Sequence, residues 1–258
     1  MNKYFIQAVA VEDPATPGLL YQAESGKKLV AVELVVGNVS GTAVTVNPLN
    51  ATLLDADGFA YRPVLGGRDG QIELVNLGPG ERVRGWISFN IPNAGKLSGI
   101  KYNVSLANTL QTGLTPSQSG QSASQLPSRT PPKLPKLGDV VEQDGYSLTA
   151  VTIEDPAKPG VIFRPEKGKR LLAVEVVVGN VSGAKITVNP LNATLVDADG
   201  FLYKPTLGGR DGQIELVELN KGEKVKGWIS FQIPPGAKPE GIKYNVSGNI
   251  TLETGLTK

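Results

Sequence analysis

The stretch VNPLNATLLDADGFAYRPVLGGRDGQIELV, residues 46–75, returns almost unchanged as VNPLNATLVDADGFLYKPTLGGRDGQIELV at 188–217. Working outward from it, residues 4–116 align with 146–258 at one constant offset and without a gap. About two-thirds of the aligned positions are identical. A period this long exceeds the repeats of solenoids, so the repeating unit is a whole domain. The chain reads as a first copy over 1–115, a linker over 116–136 and a second copy over 137–258. The linker is rich in Ser, Gln and Pro, which predicts a flexible start and a polyproline-like end.

Within each copy, apolar residues alternate between turn clusters. Val32, Leu34 and Val36 point one way and Ala31, Glu33 and Val35 the other, a period of two. Further strands are expected at 44–46, 51–54, 72–75, 83–91, 100–105 and 109–112. The turn Asp55-Ala56-Asp57-Gly58 predicts a hairpin that returns along 59–61. No segment holds a helical period of adequate length. Roughly seven short strands in about 115 residues predict an immunoglobulin-like β-sandwich. The expected fold is therefore all-β, two such sandwiches in tandem.

Composition bounds the chemistry. Hydrophobic residues make up 40% and charged residues 19%, as in a globular chain. The net charge of +2 comes from scattered residues, which argues against a nucleic-acid partner. The chain holds neither Cys nor His. That removes thiol nucleophiles, Cys/His zinc sites, the Ser-His-Asp triad and any disulfide framework. The absence of disulfides leans towards a bacterial or archaeal source. The best apolar run, LVAVELVVGNV at 29–39, is broken by Glu33 and Asn38, so no transmembrane segment is expected. The start MNKYFIQAV has no leader pattern. The second copy is preceded by KLGDVVEQDG at 136–145, and the first has no counterpart to it. An upstream segment, with a leader, is therefore expected to be missing from the chain.

Several motifs resemble a known family. They are VVGNVSG, the hairpin DADGFAY or DADGFLY, the segment GERVRGWISFNIP or GEKVKGWISFQIP, and the lead-in LGDVVEQDGYSLTAV. The resemblance is to a domain of unknown function, common in bacterial and archaeal lipoproteins and secreted proteins and sometimes labelled a telomeric repeat-binding factor. It implies an exported immunoglobulin-like sandwich, often tethered through a lipidated Cys, a residue that this chain lacks.

Each candidate site has a functional and a structural reading. Asp55, Asp57 and Asp69, with Asp197, Asp199 and Asp211, are candidate calcium ligands, since calcium takes six to eight hard oxygens. The remaining spacing of a calcium-binding loop is absent, and Asp and Gly suit hairpins for conformational reasons alone. An ordinary turn is the favoured reading, with no cofactor. Arg68 and Arg210, in the repeated LGGRDGQ loop, are candidates to grip an anionic ligand, against a solvated ion pair in a tight turn. Trp86 and Trp228 share strand parity with polar neighbours, so they are expected to face outward. They are candidates for stacking on a sugar or partner, against a ring covered by a loop. Glu12 and Glu154 begin EDPATPG and EDPAKPG, read as rigid turns rather than acid/base pairs. Asn38, Asn50, Asn103, Asn180, Asn192, Asn245 and Asn249 lie in glycosylation sequons.

These readings point to an exported, non-enzymatic tandem module of the cell envelope, used as a binder or a spacer. Its expected partner is a surface protein or glycan. The alternatives are a self-assembling filament or array subunit, joined by strand addition at an open edge, and a calcium-dependent module.

Overall fold

The computed structural model describes residues 4–19, 21–22, 24–105, 108–114, 126–127, 129–247 and 250–258. The chain divides into two compact units, Met1–Thr130 and Pro131–Lys258. The final part of the Pro-rich stretch, 131–136, belongs to the second unit. There the Gly255 N–H bonds the Pro135 carbonyl at 2.9 Å. Residues 115–125, expected to be flexible, lie outside the described residues.

The first unit contains β1 (Tyr4–Glu12), β2 (Lys27–Asn38), β3 (Val44–Val46), β4 (Ala51–Asp55), β5 (Ala60–Tyr61), β6 (Pro63–Val64), β7 (Val75–Leu77), β8 (Arg82–Pro92), β9 (Leu97–Ser105) and β10 (Asn108–Gly113). One sheet has the order β1-β2-β8-β6 and the other β10-β9-β4-β5, with β3 and β7 forming a small ribbon. All pairs are antiparallel.

The second unit repeats this with β11 (Val141–Gln143), β12 (Tyr146–Glu154), β13 (Arg170–Asn180), β14 (Ile186–Val188), β15 (Ala193–Asp197), β16 (Leu202–Tyr203), β17 (Pro205–Thr206), β18 (Val217–Leu219), β19 (Lys224–Ile233), β20 (Pro239–Ser247) and β21 (Ile250–Gly255). Its first sheet is β11-β12-β13-β19-β17. Strand β12 has partners on both sides, whereas β1 pairs only with β2 among the described residues.

The two sheets of each unit enclose one apolar core. In the second unit Leu148, Val176 and Phe231 come from one sheet, and Leu195, Ile242 and Tyr244 from the other. The alternation read from the sequence places Val32, Leu34 and Val36 in the first unit's core. The outer face of β2 is also buried, at Leu29 and Ala31. A second small cluster forms there from Ala15, Leu29, Ala31, Tyr21, Val64 and Trp86. Its counterpart contains Ala157, Leu171, Ala173, Phe163 and Trp228. Loops crossing the outer face supply this cover. The expected spans differ in places: the strand at 100–105 begins earlier, as β9 from Leu97, β1 and β6 were not expected, and 72–75 gives way to β7, Val75–Leu77. Ile72 is instead buried beside Gly85, where an added Cβ would stand 3.0 Å from it.

Candidate functional site

The repeated LGGRDGQ loop, 65–71, folds back over the outer face of the first sheet. Gly67 permits the approach, since a Cβ there would come within 2.6 Å of the Ser88 Cβ. Ser88 is fully buried beneath it, although strand parity places Ser88 on the outer face. Next to it, Arg68 lies over the ring of Trp86, with its guanidinium carbon 3.8 Å from the centroid. Its Nε and one terminal N–H donate to the two oxygens of Glu12 at 2.7 Å, and the other terminal N–H donates to the Asp69 carbonyl at 2.9 Å. This fork holds the Glu12 carboxyl below its ordinary range, a direction that partial desolvation opposes. Arg210, Trp228, Glu154 and Asp211 repeat the arrangement, with 3.6 Å to the centroid and bonds of 2.7–2.9 Å. Both arginine forks are thus occupied from within the unit, and one face of each tryptophan is covered.

The Asp-rich hairpin is closed in the same way. Asp55 Oδ1 accepts from the N–H groups of Asp57 and Phe59 at 3.1 and 2.8 Å, and Oδ2 accepts from the Tyr61 hydroxyl at 2.6 Å. Asp197 makes the matching bonds to Asp199, Phe201 and Tyr203. The two carboxyls nevertheless move in opposite directions. The Tyr61 bond lowers that of Asp55, while desolvation outweighs the same donors and raises that of Asp197. Asp69 stands on the 65–71 loop, beside Gly18, and Asp211 stands beside Gly160. Among the described residues no group of three acidic side chains converges to hold a metal ion.

The sequons divide by burial. Asn38 and Asn180 are buried, and their amide nitrogens each donate to two carbonyls, Thr42 and Leu77 in the first case and Ala184 and Leu219 in the second. A glycan on either nitrogen would displace these bonds, so the folded units have no room for one. Asn50, Asn192 and Asn245 are half-buried, and Asn103 is exposed. Asn249 lies outside the described residues.

Two concave features lie on the first unit. A groove of about 600 Å³ runs past Leu49, Leu65, Arg68, Asp69 and Leu74. A cavity of about 480 Å³ is lined by Val11, Asp13, Lys28, Asn93 and Leu97.

A family model described as "Domain of unknown function (DUF4352)" matches residues 4–109 and 135–255. The chain belongs to this family. Each DUF4352 segment falls in one of the two β-sandwiches. No curated protein matches the chain. Among solved structures it is similar to a candidate lipoprotein (ycdA) of Bacillus subtilis, at 15% identity and a TM-score of 0.39. That match covers 46% of this chain and only 38% of ycdA. The yjhA protein of the same organism is 18% identical over 48% of this chain and 99% of its own, with a TM-score of 0.38. MPT63, a secreted protein from Mycobacterium tuberculosis, is 17% identical over 49% and 99%, with a TM-score of 0.38. Among the described residues no helix is long and apolar enough to cross a membrane.

Strand reading missed what separates the two DUF4352 copies. Lys28 and Arg170 occupy aligned positions. Lys28 reaches Asp13 at 2.8 Å. Arg170 forks onto Asp155 and also donates to the carbonyls of Pro234, Pro235 and Ala237 at 2.5–2.8 Å. These carbonyls correspond to Pro92, Asn93 and Gly95, next to the first unit's cavity. The only signal in the sequence was a Lys-to-Arg change between the copies.

Proposed function

We propose that this chain is an exported, non-enzymatic protein whose two sandwiches act as a tandem binding module of the cell envelope. One observation carries the reading. Leu49, Leu65 and Leu74 stand exposed around the first unit's groove, and their counterparts Leu191, Leu207 and Leu216 are exposed in the second. Apolar side chains kept in water at matched places suit contact with a partner better than folding. The partner favoured is a protein with apolar side chains. A sugar would call for an open aromatic face, and Arg68 and Arg210 cover those of Trp86 and Trp228. Two such surfaces on one chain gain avidity when both engage. The non-enzymatic reading rests on Glu12, Asp55 and Arg68, whose polar groups are committed to internal bonds.

A photo-crosslinking residue at Leu65 or Leu207, in intact cells of the source organism, tests this. Adducts with another protein in the envelope fraction are expected from both positions. Recovery of the chain in the cytoplasm, or no adduct from either position, would overturn the proposal. Adducts between two copies of the chain would favour self-assembly instead, for which β1 offers an edge paired only to β2 among the described residues.

A further inference from the structure

Loops 13–26 and 155–168 hold matching places in the two units, and each carries an apolar turn tip. In the second, the Phe163 N–H bonds the Gly160 carbonyl at 3.2 Å and closes a turn around Val161 and Ile162. In the first, the Tyr21 N–H bonds the Gly18 carbonyl at 3.1 Å. The centre of a turn ordinarily takes Gly, Pro, Asn, Asp or Ser, which suit its backbone and its exposure. Here two β-branched side chains stand 84% and 91% exposed, and Leu19 stands 94% exposed. Folding does not account for them, because the neighbouring Phe163 does the packing, against the buried cluster of Ala157, Leu171 and Ala173. The second tip is also anchored. Ala157 bonds the Leu171 carbonyl and Gly160 the Gly209 carbonyl, both at 2.8 Å.

Charge separates the two loops. Residues 155–170 hold five cations against two acids, and 13–28 hold two against two. Both acids of the second loop are engaged, Asp155 by Arg170 at 2.5 Å and Glu166 by Lys169 at 2.7 Å. Lys158, Arg164 and Lys167 remain, all exposed and, among the described residues, without a carboxylate in ion-pair reach. Arg164 curls back on the tip, donating to the Phe163 carbonyl at 2.9 Å and the Val161 carbonyl at 3.5 Å. At the aligned positions the first loop has Thr16, Gln22 and Ser25.

We propose that the 155–168 loop is a docking site for an anionic lipid surface. Apolar side chains at such a tip enter the boundary between headgroups and acyl chains, while flanking cations stay among the phosphates. A soluble acidic polymer would use the cations and leave Val161 and Ile162 in water. Three cations and two side chains make a weak, reversible contact, suited to orienting a protein that something else retains. The proposal does not depend on the leucine-rimmed groove, because loss of vesicle binding leaves crosslinking at Leu65 untouched.

The test is cosedimentation of the full chain with phosphatidylcholine vesicles, with and without phosphatidylglycerol. Binding is expected only with phosphatidylglycerol, and it should fall at high salt. Replacing Lys158, Arg164 and Lys167 together by Gln should weaken it on the order of a hundredfold, at about fivefold per cation. Ile162→Ser should weaken it by about tenfold through lost apolar burial. Leu19→Ser in the first loop should change it little. Ile162→Trp should show a blue-shifted emission on phosphatidylglycerol vesicles and none with polyglutamate. All these positions are exposed, so melting temperatures should stay constant. No binding at low salt, binding unchanged by the triple substitution, or an Ile162→Trp emission that never shifts would each overturn the proposal.

Discussion

Arg68 covers Trp86 at 3.8 Å and carries the Glu12 carboxylate on the same guanidinium. One side chain therefore ties the end of β1, the 65–71 loop and β8 together. Arg68→Ala is expected to cost about 2 kcal/mol, from a cation–π contact and a part-exposed bidentate pair of about 1 kcal/mol each. Arg68→Lys should recover less than half, because an ammonium lacks the planar fork. Urea unfolding followed at Trp86 in a Trp228→Phe background measures both. A loss under about 0.5 kcal/mol, the usual range for an uninvolved surface site, would contradict this role.

The same fork sets an acid limb. Arg68 lowers the folded-state carboxyl of Glu12 below its ordinary 4.5, and Arg210 lowers that of Glu154. A lowered carboxyl adds stability that is fully present above the unfolded value. That stability is lost as pH falls through the folded one. Stability should therefore decline below about pH 4.5. Glu12→Gln with Glu154→Gln should flatten the decline in a series of urea midpoints. An unchanged slope would place the acid sensitivity elsewhere.

An alkaline limb is expected as well. Burial pushes the Tyr102 and Tyr244 hydroxyls up to about 12 from the ordinary 10. Each hydroxyl exchanges bonds with one residue's main chain, Asn47 or Asn189, at 2.9–3.0 Å. The unfolded chain ionises first, so stability is full below pH 10 and falls towards pH 12. The loss is roughly 2 to 3 kcal/mol per tyrosine. Tyr102→Phe with Tyr244→Phe should reduce the limb, leaving the part from Tyr61, whose bond to Asp55 also raises its hydroxyl to about 12, while costing about 1 kcal/mol each at neutral pH. Phenolate absorbance of the folded protein at pH 10 that drops in this double variant would refute the shift.

Lys28 and Arg170 form a natural exchange experiment. Lys28→Arg should carry a guanidinium into the first unit's cavity, towards the carbonyls of Pro92, Asn93 and Gly95. It should stabilise that unit by about 1 kcal/mol, or several degrees in Tm. Arg170→Lys should destabilise the second unit, since the Pro235 and Ala237 carbonyls lose the guanidinium as donor and the Pro234 carbonyl keeps only the Ala237 N–H. Differential scanning calorimetry reads both, and a neutral outcome in both directions would show that the carbonyls are satisfied by water.

The hairpin donors around Asp55 and Asp197 lead to a simple expectation for calcium. With both carboxylates occupied, millimolar calcium or a chelator should leave Tm unchanged. A ligand that binds only the native state must raise Tm. A calcium-dependent rise that disappears in Asp57→Ala with Asp199→Ala would establish a calcium site at these hairpins.

The sequence by itself determined the duplication, the all-β class and the core-facing positions. Strand alternation is a local property: Val32, Leu34 and Val36 declare their face through their immediate neighbours. The turn at Asp55-Ala56-Asp57-Gly58 was legible for the same reason, and β5 returns through Ala60–Tyr61 against Leu53 and Leu54. Tertiary structure alone decided what covers the outer face. Parity places Trp86 and Ser88 outward, yet Ser88 is fully buried, because a loop from elsewhere in the chain closes over it. The Arg68–Glu12 pair spans 56 residues and the buried Asn38 amide bonds the Leu77 carbonyl 39 residues away. Such contacts depend on where the loops come to rest, and no alternation in the sequence encodes that.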